Sequence, residues 1–126
     1  MLREKLARLD ELLAGRRRIA ARYDAAFGEA GGRPGAAPGT EHSFHLYVIR
    51  SRRRDELAEH LDRRGIGNGV HYRVPLHLQP AYADACLAGD LPEAERAAAE
   101  VLSLPLFPGL TEEQQDAVIE AVAAFG

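Results

Sequence analysis

The segment from residue 65 to residue 82, GIGNGVHYRVPLHLQPAY, most strongly limits how this chain can fold. It combines glycines, prolines, two histidines and two tyrosines, and no single helical or alternating period runs through it. Glycine and proline interrupt regular structure, so no single helix or strand is expected to run through the whole segment. Such a mixture of polar and aromatic side chains is costly for a plain core element, and it predicts a surface that contacts a ligand or a partner.

A long amphipathic helix is predicted for residues 2–27. A set of mostly apolar residues, here called the stripe, recurs at intervals of four and three, which places the set along one side of the helix. At about 1.5 Å per residue the helix would span roughly 39 Å, so we expect its first half to pack against something outside the chain's own core. A coiled-coil seam is the alternative, although the stripe weakens after Leu13. The stripe comprises Leu2, Leu6, Leu9, Leu13, Arg16, Ala20, Tyr23 and Phe27.

The remaining elements alternate between strands and helices. A connector rich in glycine and proline, residues 28–41, separates the first helix from an α/β core at residues 42–126. We predict strands at 43–50, 69–74 and 102–107, and helices at 51–64, 79–87, 92–102 and 111–125. Gly65 is expected to end the second helix in a left-handed conformation. The order indicates one α/β domain, a two-layer sandwich in which a small, mostly antiparallel sheet of about three short strands is covered by helices.

Composition and charge narrow the functional classes. A hydrophobic fraction of 46% argues against disorder, and no apolar run approaches the roughly 18 residues of a membrane span. A single cysteine, Cys86, excludes an internal disulfide and suits a reducing compartment, so we expect a cytoplasmic protein. Residues 1–22 are basic, but without a nucleic-acid motif or interleaved aromatic residues they indicate a solvated helix face, and we expect no nucleic-acid or membrane partner.

His71, Tyr72 and His77 are the candidate binding residues. Their imidazole and phenol groups can donate hydrogen bonds to sugar hydroxyls or phosphate oxygens. A structural interpretation stays open beside this one, in which the histidines hold the proline-rich turn and Tyr72 packs in the sheet. Neither these histidines nor the pair His42 and His45 has an acid or cysteine at ligand spacing, so no metal site is predicted.

Several segments, in order, resemble the C-terminal small domain of the DegT/DnrJ/StrS family of sugar aminotransferases. The resemblance implies a fold-type I domain from homodimeric enzymes that use pyridoxal phosphate to convert keto-sugar nucleotides to amino sugars, usually with glutamate as amino donor. It also implies that His71, Tyr72 and His77 lie beside the active-site mouth as substrate-binding residues. Arg73 departs from the family pattern, which commonly has proline there. The segments are LREKLARLDELLAGRRRIAARYDAAF, EHSFHLYVIR, GIGNGVHYRVPLHLQPAY and AERAAAEVLSLPLFPGLTEEQ.

The family's large domain carries the cofactor lysine, the acid behind the pyridine ring and the phosphate contacts, so no catalytic or cofactor-binding residue is predicted here. Lys5 is the only lysine of this sequence, and its charged neighbours indicate an exposed side chain. A catalytic lysine usually needs burial or a nearby cation to lower its pKa. We therefore expect that the chain alone binds no pyridoxal phosphate and does not transaminate.

Two functional hypotheses follow from this resemblance. In the first, the chain is the C-terminal part of an aminotransferase acting on keto-sugar nucleotides in amino-sugar biosynthesis, and it works with a large-domain chain. In the second, it is a non-catalytic docking or sugar-nucleotide-binding module that associates with a full-length relative.

Overall fold

The computed structural model describes residues 2–28, 35, 37–85 and 91–126, and in them helices surround a short antiparallel ribbon. The α/β fold class predicted from the sequence is confirmed. In chain order the elements are α1 (Leu2–Ala7), α2 (Leu9–Phe27), β1 (Tyr47–Arg50), α3 (Arg54–Asp62), two 3₁₀ segments (Leu76–Leu78 and Pro80–Ala85), α4 (Pro92–Glu100), β2 (Val101–Leu104) and α5 (Glu112–Ala123).

The ribbon pairs β1 with β2 in antiparallel register, with Tyr47 opposite Leu104. On the other edge of β2, the segment predicted as a further strand contributes only one bridge, between Gly69 and Ser103. Beyond that bridge, residues 71 and 72 form a turn, and Pro75 has no N–H to give to a ladder. The described sheet therefore has two strands, and the residues after Gly69 are free to form a loop.

The helix predicted for residues 2–27 is interrupted once, so the prediction of one continuous helix was wrong at Arg8. The Arg8 amide donates to the Lys5 carbonyl at 3.2 Å, and Arg8 has φ −108° and ψ 11°, outside helical values. Its guanidinium meanwhile binds Glu11 at 3.0 Å. Leu6 and Leu9, in the first half of the predicted helix, are 70% and 44% exposed. Their exposure agrees with the expectation, drawn from the helix length, that this half lies outside the chain's own core.

Several predicted boundaries shift by a few residues. The Ser51 hydroxyl accepts from the Arg53 amide at 3.2 Å, and α3 begins after it, at Arg54. Gly65 has the expected left-handed conformation, with φ +70°. The helix predicted for 79–87 is instead a 3₁₀ segment, Pro80–Ala85, in the described residues. The predicted strand 102–107 starts one residue earlier and stops before the proline at position 105.

The core lies between the ribbon and helices α2, α3 and α5. Tyr23 of α2 is fully buried, stacks edge-on against Tyr47 with ring centres 5.0 Å apart, and donates its hydroxyl to the Pro105 carbonyl at 3.0 Å. Leu61 and Leu102 are also fully buried. The helix predicted from position 111 begins with a capping box, in which the Thr111 hydroxyl accepts from the Gln114 amide and the Gln114 side chain accepts from the Thr111 amide.

The basic side chains of α2 bind other parts of the chain. Arg16 donates to the Phe44 and His45 carbonyls at 2.9 and 3.0 Å. Arg17 pairs with Glu41 at 2.8 Å. Arg17 thus ties the connector to α2, and Arg16 ties the start of the α/β core to the same helix.

Three predictions from the sequence concern Cys86, a membrane span and a metal site. Cys86 lies outside the described residues. In the described parts of the chain, no helix combines the length and apolarity needed to cross a membrane. The same parts hold no cluster of three or more histidine, cysteine or acidic side chains arranged to bind a metal ion.

Candidate functional site

Two shallow grooves meet at His71. The first, here called the loop groove, has a volume of about 500 Å³ and runs between the 71–79 segment and α4. The second, the strand groove, has a volume of about 440 Å³ and follows the outer edge of β2. The loop groove is lined by His71, Tyr72, Val74, Pro75, Leu76, Gln79, Ala94, Ala97, Ala98 and Val101. Apolar walls with few polar groups are typical of a small-molecule site.

His71 is held in place between the grooves by Ser103. The Nδ1 atom of the imidazole lies 2.9 Å from the Ser103 hydroxyl, which is nearly buried on β2. The ring also lies over Gly69, where a Cβ atom would come within 3.0 Å of the His71 Cε1 atom. Since one ring nitrogen is used by Ser103, Nε2 is the atom that His71 can offer to a ligand.

Tyr72 projects from the loop. Its side chain is 74% exposed, so the alternative in which it packs in the sheet does not describe this structure. The phenol ring meets the His71 ring edge-on, with centres 5.7 Å apart and planes at 78°, and the peptide bond between the two residues is cis. An exposed phenol beside an imidazole offers an aromatic face and a hydroxyl at the wall of the loop groove.

His77 has a different environment from the other two candidates. It is only 5% exposed, and its Nε2 atom lies 3.2 Å from a Glu95 carboxylate oxygen of α4. It lines neither groove in the described part of the chain. The structure thus brings His71 and Tyr72 together at one surface and leaves His77 beneath it, joining the 3₁₀ segment to α4.

Sequence reasoning did not find the acidic contact of Arg73. The Arg73 guanidinium donates to Asp55 Oδ1 at 3.0 Å, and the same oxygen accepts from Arg54 Nε at 2.8 Å. The hydrogen bond from Arg73, with a smaller contribution from Arg54, lowers the pKa of Asp55 below its usual value. Asp55 and Arg73 are 18 positions apart in sequence. No sequence pattern predicts that the start of a helix contacts a loop at that separation.

The position of Lys5, the only lysine of the sequence, bears on whether this chain could hold pyridoxal phosphate covalently. Lys5 lies on α1, and its side chain is exposed. A lysine that holds the cofactor as an imine needs an enclosed pocket with groups that bind the phosphate and the ring. Lys5 is not among the lining residues of either groove in the described regions. The only lysine of the sequence therefore lies on an exposed helix, outside both grooves of the described regions.

The chain matches one protein family along nearly all of its length. A sequence model described as the DegT/DnrJ/EryC1/StrS aminotransferase family matches residues 1–123. Among curated proteins, the chain is 48% identical over 127 residues to a dTDP-3-amino-3,4,6-trideoxy-alpha-D-glucose transaminase of Streptomyces venezuelae. It is 46% identical over 130 residues to a pleiotropic regulatory protein of Geobacillus stearothermophilus.

These matches cover most of this chain but only part of each relative. The alignments span 97% and 99% of the chain, and 33% and 35% of the two curated proteins. The crystal structure of S. venezuelae DesV in complex with a ketimine intermediate superposes with a TM-score of 0.92 and 45% identity. That superposition covers 98% of this chain and 34% of DesV. The chain therefore spans about a third of the length of the relatives it matches.

Proposed function

Since the chain belongs to the DegT/DnrJ/EryC1/StrS aminotransferase family, we propose that it is the C-terminal part of a pyridoxal phosphate-dependent aminotransferase that acts on keto-sugar nucleotides in amino-sugar biosynthesis. The observation that carries the proposal is the 48% identity to a dTDP-amino-sugar transaminase over 97% of the chain. The cofactor and its lysine would come from a large-domain polypeptide. We also propose a cytoplasmic location, based on the single cysteine.

In this proposal the loop groove is the part of the substrate site that this chain supplies. His71 Nε2 and the Tyr72 hydroxyl would bind the polar groups of the sugar nucleotide, because both side chains stand at the groove wall. His77, the third candidate on the substrate side, would contribute indirectly, because its contact with Glu95 of α4 holds the loop in position. The apolar floor contributed by α4 would then exclude water from the bound sugar.

The second candidate function is a docking or sugar-nucleotide-binding module without chemistry. The exposure of Leu6 and Leu9 favours this possibility as well as the first one, since an apolar helix stripe in water is typical of a surface that contacts another polypeptide. In this case the partner would be a full-length relative, and the groove would bind the sugar nucleotide while the partner carries the cofactor.

A complementation experiment tests the proposed function. The chain is mixed with the part of the S. venezuelae transaminase that it does not match, and amino transfer from glutamate to a keto-sugar nucleotide is measured. We expect no turnover from either polypeptide alone and measurable turnover from the mixture. Turnover by this chain alone, with cofactor trapped by borohydride on Lys5, would contradict the proposal. Binding to a full-length relative without any gain in turnover would favour the docking module.

A further inference from the structure

We propose that Arg73, Asp55 and Arg54 form a latch that holds the Tyr72 loop against the body of the domain. Arg54 is the fixed end, Asp55 the bridge, and Arg73 the end attached to the loop. The consequence for substrate binding rests on the proposed function, whereas the effect on the loop itself does not.

The fixed end of the latch is buried. The Arg54 side chain is 8% exposed, and its NH1 atom donates to the Ala98 and Val101 carbonyls at 3.2 and 3.3 Å. These carbonyls lie where α4 passes directly into β2, at the floor of the loop groove. A buried guanidinium bound to backbone atoms has little freedom to change its position. Arg54 therefore provides a rigid point for the carboxylate beside it.

The bridge of the latch is a single carboxylate oxygen. Asp55 Oδ1 accepts from Arg54 Nε at 2.8 Å and from Arg73 NH1 at 3.0 Å. Asp55 stands in the first turn of α3, where a negative side chain also interacts favourably with the helix dipole. Charge-assisted hydrogen bonds of this kind are stronger than neutral ones. The carboxylate thus connects an exposed loop arginine to a buried one.

The latch completes a pair of anchors on either side of Tyr72. On one side, His71 binds the Ser103 hydroxyl of β2 at 2.9 Å. On the other side, Arg73 binds Asp55 of α3. The most exposed aromatic residue of the described chain therefore stands between two side chains that each contact the body of the domain. If Arg73 is released, Tyr72 keeps one anchor and should move more freely.

The strength of the latch is limited by its exposure. The Arg73 and Asp55 side chains are 62% and 67% exposed, and exposed ion pairs shift an equilibrium by only about 1.5- to fivefold. Such a contact contributes little to folding. It is sufficient to change the order of a short loop, which is the effect that we infer.

Backbone ¹⁵N relaxation of the full chain tests the latch directly. We expect the Tyr72 amide to have an order parameter near the value of about 0.85 typical of rigid backbone, and to fall toward about 0.6 in the variant Arg73→Gln. Arg73→Lys keeps the charge and should retain most of the order. The matched control is Arg63→Gln, which removes the exposed ion pair between Arg63, just after the end of α3, and Glu59 of α3.

Salt provides a second readout that a purely steric role of Arg73 would not change. The screening length falls from about 10 Å at 0.1 M salt to about 3 Å at 1 M. High salt should therefore loosen Tyr72 in the unsubstituted chain and have little further effect in Arg73→Gln. An unchanged Tyr72 order parameter in Arg73→Gln, or an equal loss in Arg63→Gln, would overturn the inference.

The consequence for binding is measured in the complemented enzyme described above. We expect Arg73→Gln to raise KM for the sugar nucleotide about two- to fivefold, the range of an exposed ion pair, with kcat unchanged. If the complemented enzyme shows no turnover at all, the proposed function fails while the relaxation result still decides the latch. A loosened loop with an unchanged KM would overturn the inferred role in binding.

Discussion

His71 Nδ1 lies 2.9 Å from the hydroxyl of Ser103, and this contact fixes the loop to the outer edge of the ribbon. The same serine exchanges two backbone hydrogen bonds with Gly69, at 2.7 and 3.2 Å. One β2 residue thus holds both the backbone that enters the loop and the first candidate binding side chain. The position of His71 is therefore determined by the sheet as well as by the loop.

Ser103→Ala should weaken the candidate site more than the fold. A neutral hydrogen bond contributes about 0.5–1.5 kcal/mol, and the exposed imidazole can bind water when its partner is lost. We expect urea unfolding to show a loss in that range, and the complemented enzyme to bind the sugar nucleotide more weakly. Ser51→Ala, which removes a hydroxyl at the start of α3 rather than in the grooves, should leave binding unchanged. Equal effects of the two variants on binding would argue against the role of Ser103.

Leu102→Ala should destabilise the chain strongly, whereas Leu6→Ala should not. Leu102 is fully buried in β2, and truncation of such a leucine costs about 2–5 kcal/mol through lost burial and the remaining cavity. Leu6 is 70% exposed on α1 and touches little of the core. Denaturant unfolding of the chain alone measures both effects.

The variants Leu102→Ala and Leu6→Ala also distinguish a residue of the core from a residue of an interface with another polypeptide. If α1 packs against a large-domain chain, Leu6→Ala should weaken that association while it leaves the stability of the isolated chain within about 0.5 kcal/mol of the original. Association is measured by titration of the complementing fragment. A loss of stability in Leu6→Ala as large as that in Leu102→Ala would contradict the exposed position of α1.

Local sequence signals predicted the parts of the fold that depend on neighbouring residues. The capping box of Thr111 and Gln114 and the left-handed Gly65 are encoded within a few positions, and both are present. The helix break at Arg8 was missed because the apolar spacing continues through it, while the backbone there departs from helical values. Periodicity reports which side of a helix is apolar, and it does not report whether the helix is continuous.

The candidate site was predicted less completely, because its geometry depends on contacts between distant segments. The sequence drew attention to His71, Tyr72 and His77 as one group, yet only the first two line a groove. Burial of His77 and its contact with Glu95 depend on how α4 packs, which spacing alone does not determine. The ion pair of Arg73 with Asp55 was missed for the same reason.

Alkaline pH should destabilise the chain through Tyr23. Burial raises the pKa of Tyr23 from 10.0 to about 12 in the folded state. The resulting stabilisation is fully present below pH 10 and is lost as the pH rises toward 12, because the unfolded chain loses the phenol proton first. The free energy of unfolding, measured by urea at a series of pH values, should fall across that interval.

Tyr23→Phe provides the control for this pH dependence. The variant loses the hydrogen bond to the Pro105 carbonyl and should be less stable at neutral pH by about 0.5–1.5 kcal/mol. It should also show a shallower decline between pH 10 and 12, since position 23 no longer titrates. If both proteins lose stability in parallel over this interval, the buried phenol is not responsible.

Gly69→Ala should displace His71 while the fold is retained. An added Cβ atom at this position would lie 3.0 Å from His71 Cε1, closer than ordinary van der Waals contact, so the exposed imidazole must shift. Gly67→Ala is the matched control, because a Cβ atom there has no heavy atom within 4 Å. The free energy of unfolding of both variants should lie within about 1 kcal/mol of the original, the range for glycine-to-alanine changes without backbone strain.

The NMR signals of the His71 ring, assigned by their loss in His71→Gln, should move in Gly69→Ala and stay in place in Gly67→Ala. In the complemented enzyme, only Gly69→Ala should weaken binding of the sugar nucleotide; equal binding by the two alanine variants would exclude His71 from the substrate site.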